Sequence, residues 1–272
     1  MNEANGRLFV RVCRGVYVAK HGEAVAIALH GDVWERIKEI ESEVIDMIIT
    51  NPGYTWLNHH LERGTTRKQS GSWSYPTRDI DKDLLREMFR VLKSQKESRG
   101  TNGQPVWGGA HCFIFCPSLT GETKPHIDAL ITEAETVGFQ FNKLFVWDKK
   151  QMGMGYNGRP RYESILFMSK GKRAMPFDKS VKDVLEHQMI FPTKRRHESE
   201  KPVDLYRELV RFGTMPGDIV MDLFAGSLNV ARAALAEGRH AVVIEIVQKF
   251  IEAVELYKPK VVVSNQLMLE VA

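Results

Sequence analysis

Asp218-Ile219-Val220-Met221-Asp222-Leu223-Phe224-Ala225-Gly226-Ser227 is the stretch on which the fold turns. An apolar run of strand length ends at an acidic residue and passes through a glycine turn. It then enters a helical pattern carrying Ala231, Ala234 and Leu235, which stops at Gly238. A second apolar run, Ala241 to Ile246, follows at once. Strand, turn, helix and strand in this order build a parallel sheet. The same alternation recurs upstream. Ala24 to Leu29, Val44 to Thr50, Ala110 to Cys116, Phe141 to Trp147 and Glu163 to Met168 read as strands. Helical patterns start at Asp32 (Val33, Ile37, Ile40), Asp81 (Leu84, Leu85, Met88, Leu92), Lys124-Pro125 and Pro202 (Leu205, Leu209, Phe212). A last one carries Phe250, Ile251, Val254 and Leu256. The fold class is α/β: a mostly parallel sheet with helices on both faces, in a single domain spanning residues 1–272.

Around this frame, Leu8 to Val12 and Val16 to Val18 read as a hairpin. Residues 55–80 and 94–108 are polar and read as loops, and loops as long as the first are usually functional or mobile. Val261 to Gln266 reads as a strand without a place in the sheet.

The chain of 272 residues is 43% hydrophobic and carries a net charge of +4. No run of 18 apolar residues or more is present, and the N-terminus lacks an apolar signal core, so the expected place is the cytoplasm, with no membrane contact. Cys13, Cys112 and Cys116 are too few for a disulfide framework; the last two read as small hydrophobes on a buried strand. His59-His60 has no third ligand at a sensible spacing, so no metal is expected. Between Lys143 and Arg196 stand thirteen Lys/Arg and five Asp/Glu. That excess reads either as a face for a polyanion or as a solvated basic surface.

Two turns carry the chemistry. Gly226 lets a ligand approach the backbone at a helix start, and Glu245, nineteen residues on at the end of the next strand, is placed for the ribose hydroxyls of a nucleoside. Asp222 also reads as a simple cap of the turn. The G-x-G-x-x-G fingerprint is absent, which disfavours a nicotinamide cofactor. The other turn is Asn51-Pro52-Gly53-Tyr54, directly after a buried strand. An amine conjugated with a ring is a poor nucleophile. Two carbonyl oxygens, from the Asn51 side chain and the Pro52 backbone, could accept its N–H bonds and aim its lone pair. Tyr54 could stack on the ring. The same four residues also read as an ordinary strand-closing turn.

Taken in order, these segments resemble the β-group of the DNA amino-methyltransferases, which modify adenine N6 or cytosine N4. His30-Gly31-Asp32 is similar to that family's Gly-Asp segment, and Asn51 to Tyr54 to its (D/N/S)-P-P-(Y/F) motif. Phe145 to Lys149 and Tyr162 to Phe167 resemble two of its strands, and His197 to Pro202 its H-P-T-Q-K-P segment. Asp222 to Ser227 resembles its D-P-F-x-G-S loop, and Glu245 its ribose acid. The resemblance covers roughly residues 25–257. It implies a circularly permuted class I methyltransferase sheet of seven strands, whose last hairpin is antiparallel. It implies S-adenosylmethionine bound by Asp32, Ser199, Lys201, Asp222, Phe224, Ala225, Gly226, Ser227 and Glu245. Asn51, Pro52, Gly53 and Tyr54 become the catalytic turn, acting on a base flipped from the duplex. Asn at position 51 goes with adenine more than cytosine.

The basic segment 169–196 sits where that family has its target-recognition region. DNA contacts are expected from Lys149, Arg159, Arg161, Lys172, Arg173, Lys194, Arg195 and Arg196. Arg63, Arg67, Lys68, Trp73 and Tyr75 of the first long loop join them, with loop anchoring the other reading of Trp73 and Tyr75. A homodimer and a cognate restriction endonuclease are expected by the same analogy, in a bacterial, archaeal or phage-infected cell. Two positions depart from the pattern. Gly53 replaces the second proline and loosens the turn. Leu228 stands where glycine is usual, so either its side chain narrows the cofactor cleft or the backbone there needs no positive φ. RNA adenine or a protein glutamine amide is the rival acceptor, and a non-catalytic nucleic-acid-binding module is the rival class.

Overall fold

Apolar runs without alternation are buried on both faces, and here they form the middle of one sheet. The computed structural model describes residues 10–13, 16–53, 78–99, 105–153, 158–174, 176–197 and 199–252. The strands are β1 (Val10–Cys13), β2 (Val16–His21), β3 (Ala24–His30), β4 (Met47–Thr50), β5 (Lys96–Arg99), β6 (Pro105–Gly108), β7 (His111–Cys116), β8 (Phe139–Asp148), β9 (Tyr162–Lys170), β10 (Val184–Glu186), β11 (Ile219–Asp222) and β12 (His240–Glu245). The helices are α1 (Val33–Arg36), α2 (Lys82–Val91), α3 (Lys124–Val137), α4 (Val203–Gly213), α5 (Asn229–Ala236) and α6 (Gln248–Glu252).

The main sheet runs β1-β2-β3-β12-β11-β4-β7-β9-β8-β10. From β3 to β7 the strands are parallel, and β9 is antiparallel to both its neighbours. The seven strands from β3 to β8 follow the permuted order expected. The sheet nevertheless has ten strands rather than seven. The β1–β2 hairpin extends one edge, because β2 pairs along β3 from Val16↔Leu29 to His21↔Ala24. At the other edge β10 adds a short parallel strand to β8, Val184↔Val146 to Glu186↔Asp148. The stretch 94–108 is also not all loop: β5 and β6 pair antiparallel there.

Alternation along each strand divides the core into two apolar layers. Phe113 and Phe115 point to the side of α4 and α5, whereas Cys112, Ile114 and Cys116 point to α2 and α3. Both cysteines are therefore buried thiols outside any disulfide, and burial pushes the Cys112 thiol up. Helix α2 buries Leu84, Leu85, Met88 and Val91, a helical spacing, and is capped by Asp81, whose carboxylate accepts the Leu84 N–H at 2.9 Å. The pattern at Asp32 gives only one α-turn followed by a 3-10 turn, Ile37–Glu39. No helix among the described residues is long and apolar enough to cross a membrane.

Leu228 resolves differently from both expectations. Its backbone is left-handed, φ 58°, at the start of α5. Its side chain is fully buried in the α4–α5 layer and leaves the cleft open. The conformation costs about 1 kcal/mol in a non-glycine residue, and burial of the isobutyl group offsets it. Leu228→Ala keeps the cost and loses the packing. It should lower unfolding stability by about 2–3 kcal/mol, read as a lower urea midpoint at unchanged slope.

Candidate functional site

Strands β4 and β11 lie side by side and stop at the same edge of the sheet, where open α/β folds bind ligands. Side chains fasten them at both ends. Ile219 N–H donates to Asp46 Oδ2 at 3.0 Å, and Thr50 Oγ1 donates to Asp222 Oδ1 at 3.1 Å, across 172 residues of chain. Beyond this second bond opens a cleft of about 180 Å3. Asn51, Pro52 and Gly53 line it from β4, and Asp222, Phe224, Ala225, Gly226 and Ser227 from β11. Asp32, Ser199, Lys201 and Glu245 complete the set expected from sequence.

The glycine turn is held from below by carboxylates. Glu245 accepts the Gly226 N–H at 2.6 Å on one oxygen and the Val247 N–H at 2.8 Å on the other. Asp222 Oδ1 accepts the Phe224 N–H at 3.1 Å as well as the Thr50 hydroxyl. Burial pushes both carboxyls up to about 7, against the pull of these hydrogen bonds, and for Asp222 the charge of Glu245 adds to the rise. Gly226 has φ +49°, and a Cβ there would come within 3.3 Å of the His197 ring. That ring packs edge-on against Phe250 at 4.9 Å and accepts the Ser199 N–H on Nδ1 at 3.2 Å. Burial holds its imidazole down to about 4, so it is neutral near pH 7.

The raised carboxyls carry a pH consequence. Each binds its proton more tightly folded than unfolded, so their contribution to stability is complete below the unfolded carboxylate range and is lost as pH rises through about 7. The ligand-free protein should gain melting temperature from about pH 8 to about pH 6. Asp222→Asn should flatten that slope in a calorimetric series.

A family model described as DNA methylase, of the N6/N4 type, matches residues 45–256. The chain belongs to the N6/N4 DNA methylase family. It is similar to the DNA adenine methyltransferase YhdJ of Escherichia coli (strain K12), 24% identical over 277 residues that cover 88% of this chain and 84% of YhdJ. Among solved structures, the M1.HpyAVI–SAM complex is 20% identical with TM-score 0.56, covering 83% of this chain and 95% of that one. The cytosine-N4-specific PvuII DNA methyltransferase is 15% identical with TM-score 0.59, covering 87% and 88%. Both structures have the fold described above.

In this methylase the segment before α4 is tied down twice. Buried Glu200 accepts the Arg196 N–H at 2.6 Å and Asn229 Nδ2 at 3.1 Å, and Asn229 also donates to the Lys201 carbonyl at 2.8 Å. Lys201 lines the cleft, and its ammonium is held at the wall. It lies 2.9 Å from Glu163, over the rings of Phe115 and Trp147. Two cleft residues had no signal in the sequence reading. Trp34 donates its indole N–H to Asp81 at 3.2 Å and meets Phe224 edge-on at 6.1 Å, and the Arg78 guanidinium lies 4.1 Å over its face. Trp34 stands two residues beyond Asp32, which caps α1 by accepting the Trp34 N–H at 2.9 Å. That neighbourhood was its only pointer.

The basic residues of the methylase do not form one patch. Because β9 runs antiparallel, Lys172 and Arg173 follow its far end and stand at the opposite edge of the sheet from the cleft. Arg161 is held by Asp148 through two bonds of 2.7 Å, and the guanidinium keeps that carboxyl down to about 2. Lys149 lies 3.7 Å from Glu163, Arg196 is bonded to Glu200, and Arg195 donates to the Ile190 carbonyl at 2.8 Å. Arg159 and Lys194 are exposed and form no ion pair among the described residues. Tyr54, Arg63, Arg67, Lys68, Trp73 and Tyr75 lie outside the described residues, as do His59-His60 and Val261 to Gln266.

Proposed function

We propose that this methylase transfers the methyl group of S-adenosylmethionine to the N6 amine of an adenine flipped out of DNA. The observation that carries the reading is the Thr50–Asp222 bond, which fixes the Asn51 turn and the Gly226 turn on one cleft. The cleft fits the cofactor. Each oxygen of Glu245 holds one backbone N–H and keeps acceptor capacity for a ribose hydroxyl. Gly226 leaves a cradle that a Cβ would crowd. Trp34 and Phe224 offer an apolar wall for a purine, and His197, Ser199 and Lys201 line the same cleft as Asn51.

The bound cofactor supplies an electrophilic methyl on a sulfonium. The Asn51 side-chain oxygen and the Pro52 carbonyl accept the two amine N–H bonds and so direct the nitrogen lone pair at that methyl. The sulfonium sulfur would keep the electron pair of the C–S bond as the N–C bond forms, which balances the transfer. The methylated nitrogen then gives one proton to solvent. Arg159 and Lys194, with the loop residues Arg63, Arg67, Lys68, Trp73 and Tyr75, are proposed to take phosphates and unstacked bases. Residues 1–272 are read as one domain with the loop 55–80 inserted.

Asn51 and the likeness to YhdJ favour adenine. The test is transfer of labelled methyl to unmethylated DNA, followed by nucleoside mass spectrometry. N6-methyladenine is expected. N4-methylcytosine would replace the base in the proposal, and label on RNA or protein but none on DNA would overturn it.

A further inference from the structure

Glu163 is the first charged residue at the cleft end of β9, and the reaction outlined above gives it no task. It follows Ile165 and Phe167 onto the face of the sheet shared by Phe115 and Trp147, and it pairs directly with Trp147 across β8. Its carboxylate meets Lys201 at 2.9 Å and Lys149 at 3.7 Å. Burial alone would raise its carboxyl, but the two ammonium groups outweigh that and hold it below the usual range. The Lys201 ammonium itself lies 5.0 Å over the Phe115 ring. Thr50 pairs with Ile114, so Asn51 leaves β4 beside Phe115. Lys201 therefore sits on the ring next to the place where the acceptor amine is held, with Glu163 about 10 Å from β4, two strands over.

That placement has an electrostatic consequence. A methyl delivered to an amine at Asn51 brings a sulfonium, a full positive charge, in front of Asn51. A bare ammonium on the neighbouring ring would repel it, strongly so in a cleft of low dielectric. Resting on the cofactor reading above, we propose that Glu163 is a positioning residue: it clamps the Lys201 ammonium to the cleft floor and offsets its charge, so that the site accepts a cationic cofactor. The electrically neutral thioether product, S-adenosylhomocysteine, differs from the cofactor at that atom and feels the clamp far less.

The test compares the dissociation constants of S-adenosylmethionine and S-adenosylhomocysteine by titration calorimetry on the full chain. Glu163→Gln should weaken S-adenosylmethionine on the order of tenfold relative to S-adenosylhomocysteine. Lys201→Met should shift the ratio the opposite way, and the double variant Glu163→Gln/Lys201→Met should return it towards wild type. Glu163→Asp should lie between wild type and Glu163→Gln. Variants that weaken both ligands equally, or that move the ratio in one direction, would make Glu163 a purely structural residue and overturn the proposal. Wild-type protein that binds neither ligand would overturn the cofactor reading instead.

Discussion

Asn51→Ala is expected to lower methyl transfer by about 10²–10³-fold while leaving cofactor affinity within about twofold. The asymmetry follows from where the side chain stands. Asn51 lines the cleft at the end of β4, whereas the Glu245 and Gly226 contacts sit on the far side of the Thr50–Asp222 bond. On the proposed reading, removing the amide takes away one of two acceptors for the amine and leaves the lone pair delocalised into the ring. The Pro52 carbonyl stays, so DNA binding without turnover is the expected phenotype. Single-turnover rates with saturating cofactor, beside a calorimetric dissociation constant, separate the two effects. Equal loss of affinity and rate would move Asn51 from the acceptor side of the cleft to the cofactor side.

Glu245→Ala should weaken cofactor binding by about 100-fold or more, with turnover partly recovered at high cofactor concentration. On the proposed reading, the two hydrogen bonds from ribose hydroxyls to this carboxyl group are lost together. The Gly226 and Val247 N–H groups lose their acceptor as well, so the turn that receives the ligand loosens. Glu245→Gln is no rescue, since its NH2 group would face one of those two backbone donors. Thermal melting of each variant without ligand separates this loss from unfolding. An unchanged dissociation constant would remove Glu245 from the site.

Both residues were readable in the sequence, because each ends an apolar run whose length and lack of alternation mark a buried parallel strand. The nine residues expected to hold the cofactor all line one cleft for the same reason: six of them (Asp222, Phe224, Ala225, Gly226, Ser227 and Glu245) lie at the ends of β11 and β12. What escaped was decided by contacts between distant segments. Strand β10 is three residues long, with only Leu185 buried, and exists by pairing with β8. Residues 94–108 read as a polar, Gly-containing loop, and the β5–β6 ribbon pairs outside the main sheet. Arg161 and Lys149 counted as free cations in a tally of charges, yet Asp148 and Glu163 meet them in space. The split of Lys172 and Arg173 from Arg159 needed the direction of β9, which composition does not carry. Trp34 and Arg78 stack face to cation across a gap in sequence that no periodicity spans.

The order β3-β12-β11-β4 also governs how the protein is made. The ribosome releases β3 and β4 well before β11 and β12, which belong between them. Until residue 219 emerges, the growing chain carries two unpaired strand edges facing a gap two strands wide. Those edges can pair with a neighbouring chain as readily as with their own missing strands, so aggregation during synthesis is the hazard built into this permutation. The two halves of the site are not joined before that insertion, because the Thr50–Asp222 bond spans it. Premature stops upstream of β11 should therefore yield insoluble fragments rather than weakened enzyme.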